Sequence, residues 1–96
     1  MVWQIYLEGS KEKGYTVLEW GQYWLVKFYI EKAELSNQYG MFKVDRNRKP
    51  YFLCTTESLE KANKKIYQLA LEHTKKRVLR LRKRGNDVLF KDNTKN

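Results

Sequence analysis

A chain of 96 residues has room for one domain, because a second would be left with too little apolar surface to bury. Apolar residues make up 42% and aromatics 15%, which excludes disorder over most of the length, since disordered chains lack the aromatics that offset chain entropy. The net charge of +9, from 20 Lys and Arg against 11 Asp and Glu, implies an acidic partner, nucleic acid before an anionic membrane surface.

Residues 2–8 are rich in β-formers and read as a first strand, closed by Gly9-Ser10. The polar segment 11–14 is a turn, and residues 15–20 form a second strand. Gly21-Gln22 is a two-residue hairpin link. Residues 23–31 alternate and form a third strand, 32–38 is a polar connection with room for a helical turn, and 39–45 is a fourth strand. Arg46-Asn47-Arg48-Lys49-Pro50 is a basic loop, with Pro50 restricted to a strand start or edge, and residues 51–55 are a fifth strand. The period then changes. Thr56 reads as an N-cap, with Glu57 and Glu60 where the helix dipole favours negative charge. Leu59, Ala62, Ile66, Leu69, Ala70 and His73 recur at helical spacing, and the helix runs to Arg84 with Gly85 as its stop. Such a helix is about 42 Å long against about 17 Å for a five-residue strand, so its last turns are expected to project beyond the sheet. Residues 86–96 read as a partly disordered polar tail around the short apolar patch Val88-Leu89-Phe90. The expected fold is α+β: one domain over residues 1–85, built as a single antiparallel sheet of four to five strands with one long C-terminal helix packed on one face.

Alternate side chains of a strand point to opposite faces. In all five strands tyrosine takes the parity opposite to tryptophan and phenylalanine. Trp3, Ile5 and Leu7 oppose Tyr6; Leu18 and Trp20 oppose Tyr15 and Val17; Trp24, Val26, Phe28 and Ile30 oppose Tyr23, Lys27 and Tyr29; Phe42 and Val44 oppose Tyr39 and Lys43; Phe52 and Cys54 oppose Tyr51. For unbulged strands this predicts a Trp/Phe/Ile face under the helix and an uncovered face carrying Tyr23, Lys27, Tyr29, Tyr39 and Lys43. An open face of that kind suits single-stranded nucleic acid: bases stack on rings at ~1–3 kcal/mol each and lysines meet phosphates. It suits a homodimer too, since tyrosine is enriched at interfaces, and also plain solvation, since tyrosine has high β-propensity.

Seven of the ten residues 75–84 are basic: Lys75, Lys76, Arg77, Arg80, Arg82, Lys83 and Arg84. Cations at a helix C-terminus are favoured by ~0.3–1 kcal/mol each, but seven exceed what a cap needs and repel one another. The expected role is a phosphate-binding arm. The alternatives are a solvated helix end and a membrane-surface or partner-binding helix. Arg46, Arg48 and Lys49 add a smaller cluster at one end of the sheet face.

Catalytic signals are missing. The single histidine, His73, lies on the apolar side of the helix and reads as a packing residue. The single cysteine, Cys54, leaves no intramolecular disulfide and no cysteine zinc site. The five glycines are scattered and form no phosphate loop, and no Asp or Glu has a Lys two residues later. No cofactor or metal is expected. The start, Met1-Val2-Trp3-Gln4-Ile5-Tyr6, lacks the pattern of a secretory signal, and the longest apolar run, residues 23–30, is broken by Lys27 and falls far short of the ~20 residues that span a bilayer. The expectation is a non-enzymatic protein of the cytoplasm or another reducing intracellular compartment that binds nucleic acid, single strands before duplex. The rival readings are an interaction module dimerising through the tyrosine face and a motif-poor ribonuclease or toxin-like factor. In order of elements, strands then one long helix, the chain resembles single-strand binders of the transcription-cofactor and Whirly type. The segment Lys49-Pro50-Tyr51-Phe52-Leu53-Cys54-Thr55-Thr56-Glu57-Ser58-Leu59-Glu60 resembles the strand-to-helix junction of three-stranded-sheet DNA-binding domains such as recombinase arm domains. The resemblance implies a fold and no residue roles.

Overall fold

The computed structural model describes residues 2–95; residues 1 and 96 lie outside that description. Among the described residues the elements run β1 (Val2–Ser10), β2 (Gly14–Glu19), β3 (Tyr23–Lys32), β4 (Tyr39–Asp45), β5 (Pro50–Thr56), α1 (Leu59–Lys83) and β6 (Asp87–Lys95). They form an α+β fold with one helix on one sheet. The sheet has order β5-β4-β3-β2-β1-β6, with β6 parallel to β1 and the other neighbours antiparallel. It is therefore six-stranded and mixed, not an antiparallel sheet of four to five strands. The difference lies in residues 87–95, expected as part of a frayed tail. Val88 and Phe90 turn toward the core while Leu89 and Lys91 turn away, and the free edge of β1 supplies the partner that makes this polar segment a strand. Of residues 32–38, given room for a helical turn, Lys32 ends β3 and 33–38 form an irregular link with a turn at 34–35 and bends at 36–37.

β5 and β6 point the same way at opposite edges, so α1 connects them by crossing the whole sheet. It touches all six strands. Its buried stripe is Ala62, Ile66, Ala70, Thr74, Val78 and Leu81, which closes on Ile5 and Leu7 of β1, Tyr15 and Val17 of β2, Val26 and Phe28 of β3 and Met41 of β4. Thr74 is tolerated there because its hydroxyl donates to the Ala70 carbonyl at 2.9 Å. Val78 and Leu81 are buried, so the last turns do not project. The strands reach 9 or 10 residues, and the helix lies across them. The N-cap is Ser58, not Thr56: the Ser58 hydroxyl accepts from the Lys61 amide at 3.2 Å, and Thr56 ends β5. Gly85, at φ +86, ends the helix as expected. The β1–β2 hairpin needs Gly9. It sits at φ +138, and a Cβ there would lie 2.0 Å from the Gly14 carbonyl oxygen.

Two bulges decide which side chains share a face. Between β2 and β3, Val17 faces Val26 but Leu18 faces Trp24, so Leu25 is the extra residue. Between β4 and β5, Met41 faces Cys54 but Phe42 faces Phe52, so Leu53 is the extra one. Both extra leucines pack against the core, and each bulge inverts the parity of the strand beyond it. Trp24 and Phe52 thereby leave the helix side, while Tyr23 and Tyr51 join it. In β2 and β4 the phase itself is opposite to expectation: Tyr15, Val17 and Met41 are buried under the helix, and Leu18, Phe42 and Val44 face away. The split into a Trp/Phe core face and a Tyr open face therefore does not hold.

If β6 is part of the domain, truncation after Asn86 strips Val88 and Phe90 from the core and exposes the β1 edge. We expect a loss of about 2–4 kcal/mol, read by urea unfolding followed by circular dichroism. A truncated chain with wild-type stability would mean that the segment contributes nothing.

Candidate nucleic-acid interface

The fifteen residues expected to contact nucleic acid do not form one surface. Lys27 and Tyr29 lie on the uncovered face, opposite the buried Val26 and Phe28. Tyr39 pairs with Lys32 and Thr56 at the far end of β4, beside Leu59 and Glu60 of the first helical turn. Lys75 and Arg82 line the β6 side of the helix with Val78, Leu79 and Phe90, and Arg82 donates to the Val88 carbonyl at 3.3 Å. Lys83 and Arg84 are exposed at the helix end, and Arg48 and Lys49 are exposed in the β4–β5 loop.

The remaining six, Tyr23, Lys43, Arg46, Lys76, Arg77 and Arg80, do converge on one flank of the helix. Tyr23, Lys43 and Arg46 stand where β3 begins and β4 ends, and Lys43 shares the surroundings of His73 with Lys76, Arg77 and Arg80. Lys43 faces the buried Phe28 across the β3–β4 ladder, which puts it on the helix side. The imidazole of His73 lies edge-on to the Phe28 ring, 5.9 Å between centroids. His73, Lys76, Arg77 and Arg80 recur at i, i+3, i+4 and i+7, so they share one side of α1. Burial pushes the His73 pKa below its ordinary value, and the charges of Lys43, Arg80, Lys76 and Arg77 lower it further. Four cations from two elements thus surround one neutral imidazole.

Two aromatic rings complete the flank. The Arg46 guanidinium lies 5.8 Å from the centre of the Tyr23 ring, and the Lys43 ammonium 5.8 Å from that of Tyr51. Tyr23 is 53% exposed and Tyr51 45%, so their rings remain reachable. The loop that delivers Arg46 is held by Asp45, whose carboxylate accepts from the Asn47 amide at 2.9 Å and whose carbonyl accepts from the Arg48 amide at 3.0 Å. Arg77 is the best-anchored cation. It bridges Glu19 of β2 at 2.8 Å, with side chains 28% and 15% exposed, and its buried Nε has no hydrogen-bond partner. Tyr51, His73 and Glu19 were absent from the sequence-derived set. Tyr51 was within reach of it, since it directly follows the basic loop, whereas the Arg77–Glu19 pair spans 58 positions and leaves no local signal.

The uncovered face differs in character. Tyr29, Phe42 and Phe52 form a row across three strands, Tyr29 stacked on Phe42 at 5.5 Å and Phe52 edge-on to Phe42 at 5.7 Å. Gly40 makes room for it, since a Cβ there would lie 2.9 Å from the Phe42 ring. Trp24, Leu18, Val44, Tyr6 and Leu89 extend the apolar area. Its charged residues are Lys27, Lys91 and Lys95 against Glu8, Glu31 and Asp87, three of each sign. The helix flank instead sets Lys43, Arg46, Lys76, Arg77 and Arg80 against Glu19 and Asp45.

Among the described residues no three His, Cys, Asp or Glu side chains gather to hold a metal ion. Among the same residues no helix is long and apolar enough to cross a membrane. Comparison with protein families, curated proteins and solved structures finds no match to this chain.

Because the folded chain holds His73 less protonated than the unfolded chain does, the unfolded state binds more protons between the folded pKa and the ordinary 6.5. Stability is therefore unaffected by this group above pH 6.5 and falls as pH drops below it. The loss should shrink in His73→Gln, as read by thermal unfolding from pH 7.5 to 5. Equal pH dependence in both proteins would contradict the placement of His73 among these cations. A second expectation concerns the ion pair: Glu19→Gln leaves a half-buried guanidinium without its counter-charge and should cost about 1–3 kcal/mol.

Proposed function

We propose that the protein binds nucleic acid, with the sugar–phosphate backbone on the flank formed by Lys43, Arg46, Lys76, Arg77 and Arg80 and unpaired bases against Tyr23 and Tyr51. One observation carries this reading: cations from β4 and α1 converge around the half-buried His73 although their mutual repulsion opposes folding. An anion at that place relieves the repulsion. Phosphates repeated along a strand match cations spread along the helix, and a net charge of +9 favours any polyanion at long range. Two exposed rings beside the cations favour single strands, whose bases are free to stack. Arg84, Arg48 and Lys49, exposed nearby in the chain, extend the positive field. Lys75, Arg82 and Lys83 add to overall attraction more than to this site.

A second reading keeps the bases on the uncovered face, and the row of Tyr29, Phe42 and Phe52 favours it. Its charges oppose it: Lys27, Lys91 and Lys95 are matched by Glu8, Glu31 and Asp87, so the face has no net positive charge to hold a strand's phosphates.

Fluorescence anisotropy with labelled single-stranded DNA, single-stranded RNA and duplex DNA at several salt concentrations tests both. We expect single-strand binding with a steep salt dependence. Replacing Lys43, Lys76 and Arg80 together by Ala should flatten the slope of log K against log salt by about 2–3. Tyr51→Ala should weaken binding by about 1 kcal/mol, and Tyr29→Ala should leave it unchanged. An unaltered slope in the triple variant removes the flank from the account, and a loss in Tyr29→Ala moves the bases to the other face. No binding to any of the three at low salt ends the nucleic-acid reading.

A further inference from the structure

The uncovered sheet face lies outside the proposed binding flank, and its chemistry differs from the rest of the molecule. Phe52 is 60% exposed, although it is one of the largest apolar side chains of the protein. It ends a row with Phe42 and Tyr29, and Trp24, Leu18, Val44, Tyr6 and Leu89 share the same side of the sheet. Polar groups on this face are partly satisfied among themselves. The Tyr6 hydroxyl donates to the Gln4 side chain, and the Lys91 ammonium lies 5.9 Å from the Tyr6 ring centre. A contiguous apolar face of this extent marks an interaction surface.

We infer that this face is the contact surface of a homodimer, covered by the same face of a second copy of the chain. Charge is the first argument. A protein of net charge +9 repels its own copy over most of its surface. Here Lys27, Lys91 and Lys95 stand against Glu8, Glu31 and Asp87, so two copies meet without like-charge excess, and each brings both signs. Size fits as well. Six strands about 4.8 Å apart and 6 to 10 residues long give a projected area of roughly 600 Å², close to the ~800 Å² per partner of a standard interface. The third is shape. A twisted sheet is best matched by another of the same twist, packed about 10 Å away at roughly −30°, and a twofold contact makes the surface its own complement. In such a sandwich both helices lie outermost. The two cationic flanks then face away from each other and stay open to nucleic acid, so the inference stands whether or not that binding is found.

Sedimentation velocity on nucleic-acid-free protein, from low micromolar to several hundred micromolar in high salt, tests it. We expect a dimer whose midpoint Phe52→Glu moves to at least tenfold higher concentration, with a wild-type circular dichroism spectrum, because Phe52 is exposed on an edge strand. Tyr29→Glu, on a more central strand of the sheet, should give the same shift and serves if the first variant is poorly folded. A wild-type monomer throughout the range overturns the inference. A dimer that neither substitution weakens also overturns it, because another surface then makes the contact. A monomer whose single-strand affinity drops in Phe52→Glu assigns the face to bases instead of to a second copy.

Discussion

The connection from β5 to β6 governs the rest of the molecule. These two strands lie at opposite edges of one sheet and run in the same direction, so α1 must travel back along the strands while it crosses all of them. A helix is about 10 Å wide and the sheet about 24 Å across, which leaves two consequences. The core follows the diagonal under the helix, where Ala62, Ala70 and Thr74 keep the approach close and Tyr15 and Met41 fill the depth. The corners off the diagonal are left for other side chains on the helix side. One of them is closed by Tyr67, whose hydroxyl donates to Asp92 at 3.0 Å while its ring packs on Tyr15. The other, at the start of β3 and β5, is where the cations and tyrosines gather.

The bulges at Leu25 and Leu53 fit the same geometry. A sheet crossed by a diagonal helix needs apolar side chains under the helix at different heights in different strands. An unbulged strand presents one parity along its whole length; a bulge lets it change sides partway. β3 buries Val26 and Phe28 under the helix and then turns Leu25 inward and Trp24 outward. β5 turns Cys54 and Leu53 toward the core and releases Phe52 to the other face. The aromatic row on the uncovered face is a product of this switch, as is the position of Tyr23 and Tyr51 beside the cations.

That explains what could be read from the chain and what could not. The helix, its apolar stripe and its glycine stop were legible, because helical periodicity and capping are local. Five strands were legible from β-rich runs and turns. β6 was not, since Lys91, Asp92, Asn93 and Lys95 look like a tail until β1 offers its edge. The phase of each strand relative to its neighbours was also out of reach. Parity tells which residues of one strand share a side, but pairing sets which side that is, and a single inserted residue reverses it. Tyr15 shows the cost of assigning phase by residue type: it was expected on an open face and is fully buried beneath the helix. The basic character of residues 75–84 was legible, but its division was not. Lys76, Arg77 and Arg80 face the β4 side with Lys43, while Lys75 and Arg82 face β6.

The separation of charge from apolar surface is the last consequence of putting one helix on one face. Lysine and arginine stems can cover part of an apolar flank while their heads reach water, so the sides of α1 accept cations that the core cannot. On the uncovered face no helix flank exists to carry them, and the residues there follow the sheet's alternation, apolar and aromatic with few charges of both signs. The result is a strongly basic molecule with one nearly neutral side. On the basic side, His73 stays uncharged among Lys43, Lys76, Arg77 and Arg80, because a fifth positive charge in a half-buried place would add desolvation to repulsion. An anion bound beside it, as the proposed function requires, would offset the repulsion. Negative charge near the imidazole favours the protonated form, so under the proposed function polyanion binding and uptake of a proton by His73 would be thermodynamically linked, each strengthening the other as pH falls toward the ordinary histidine range.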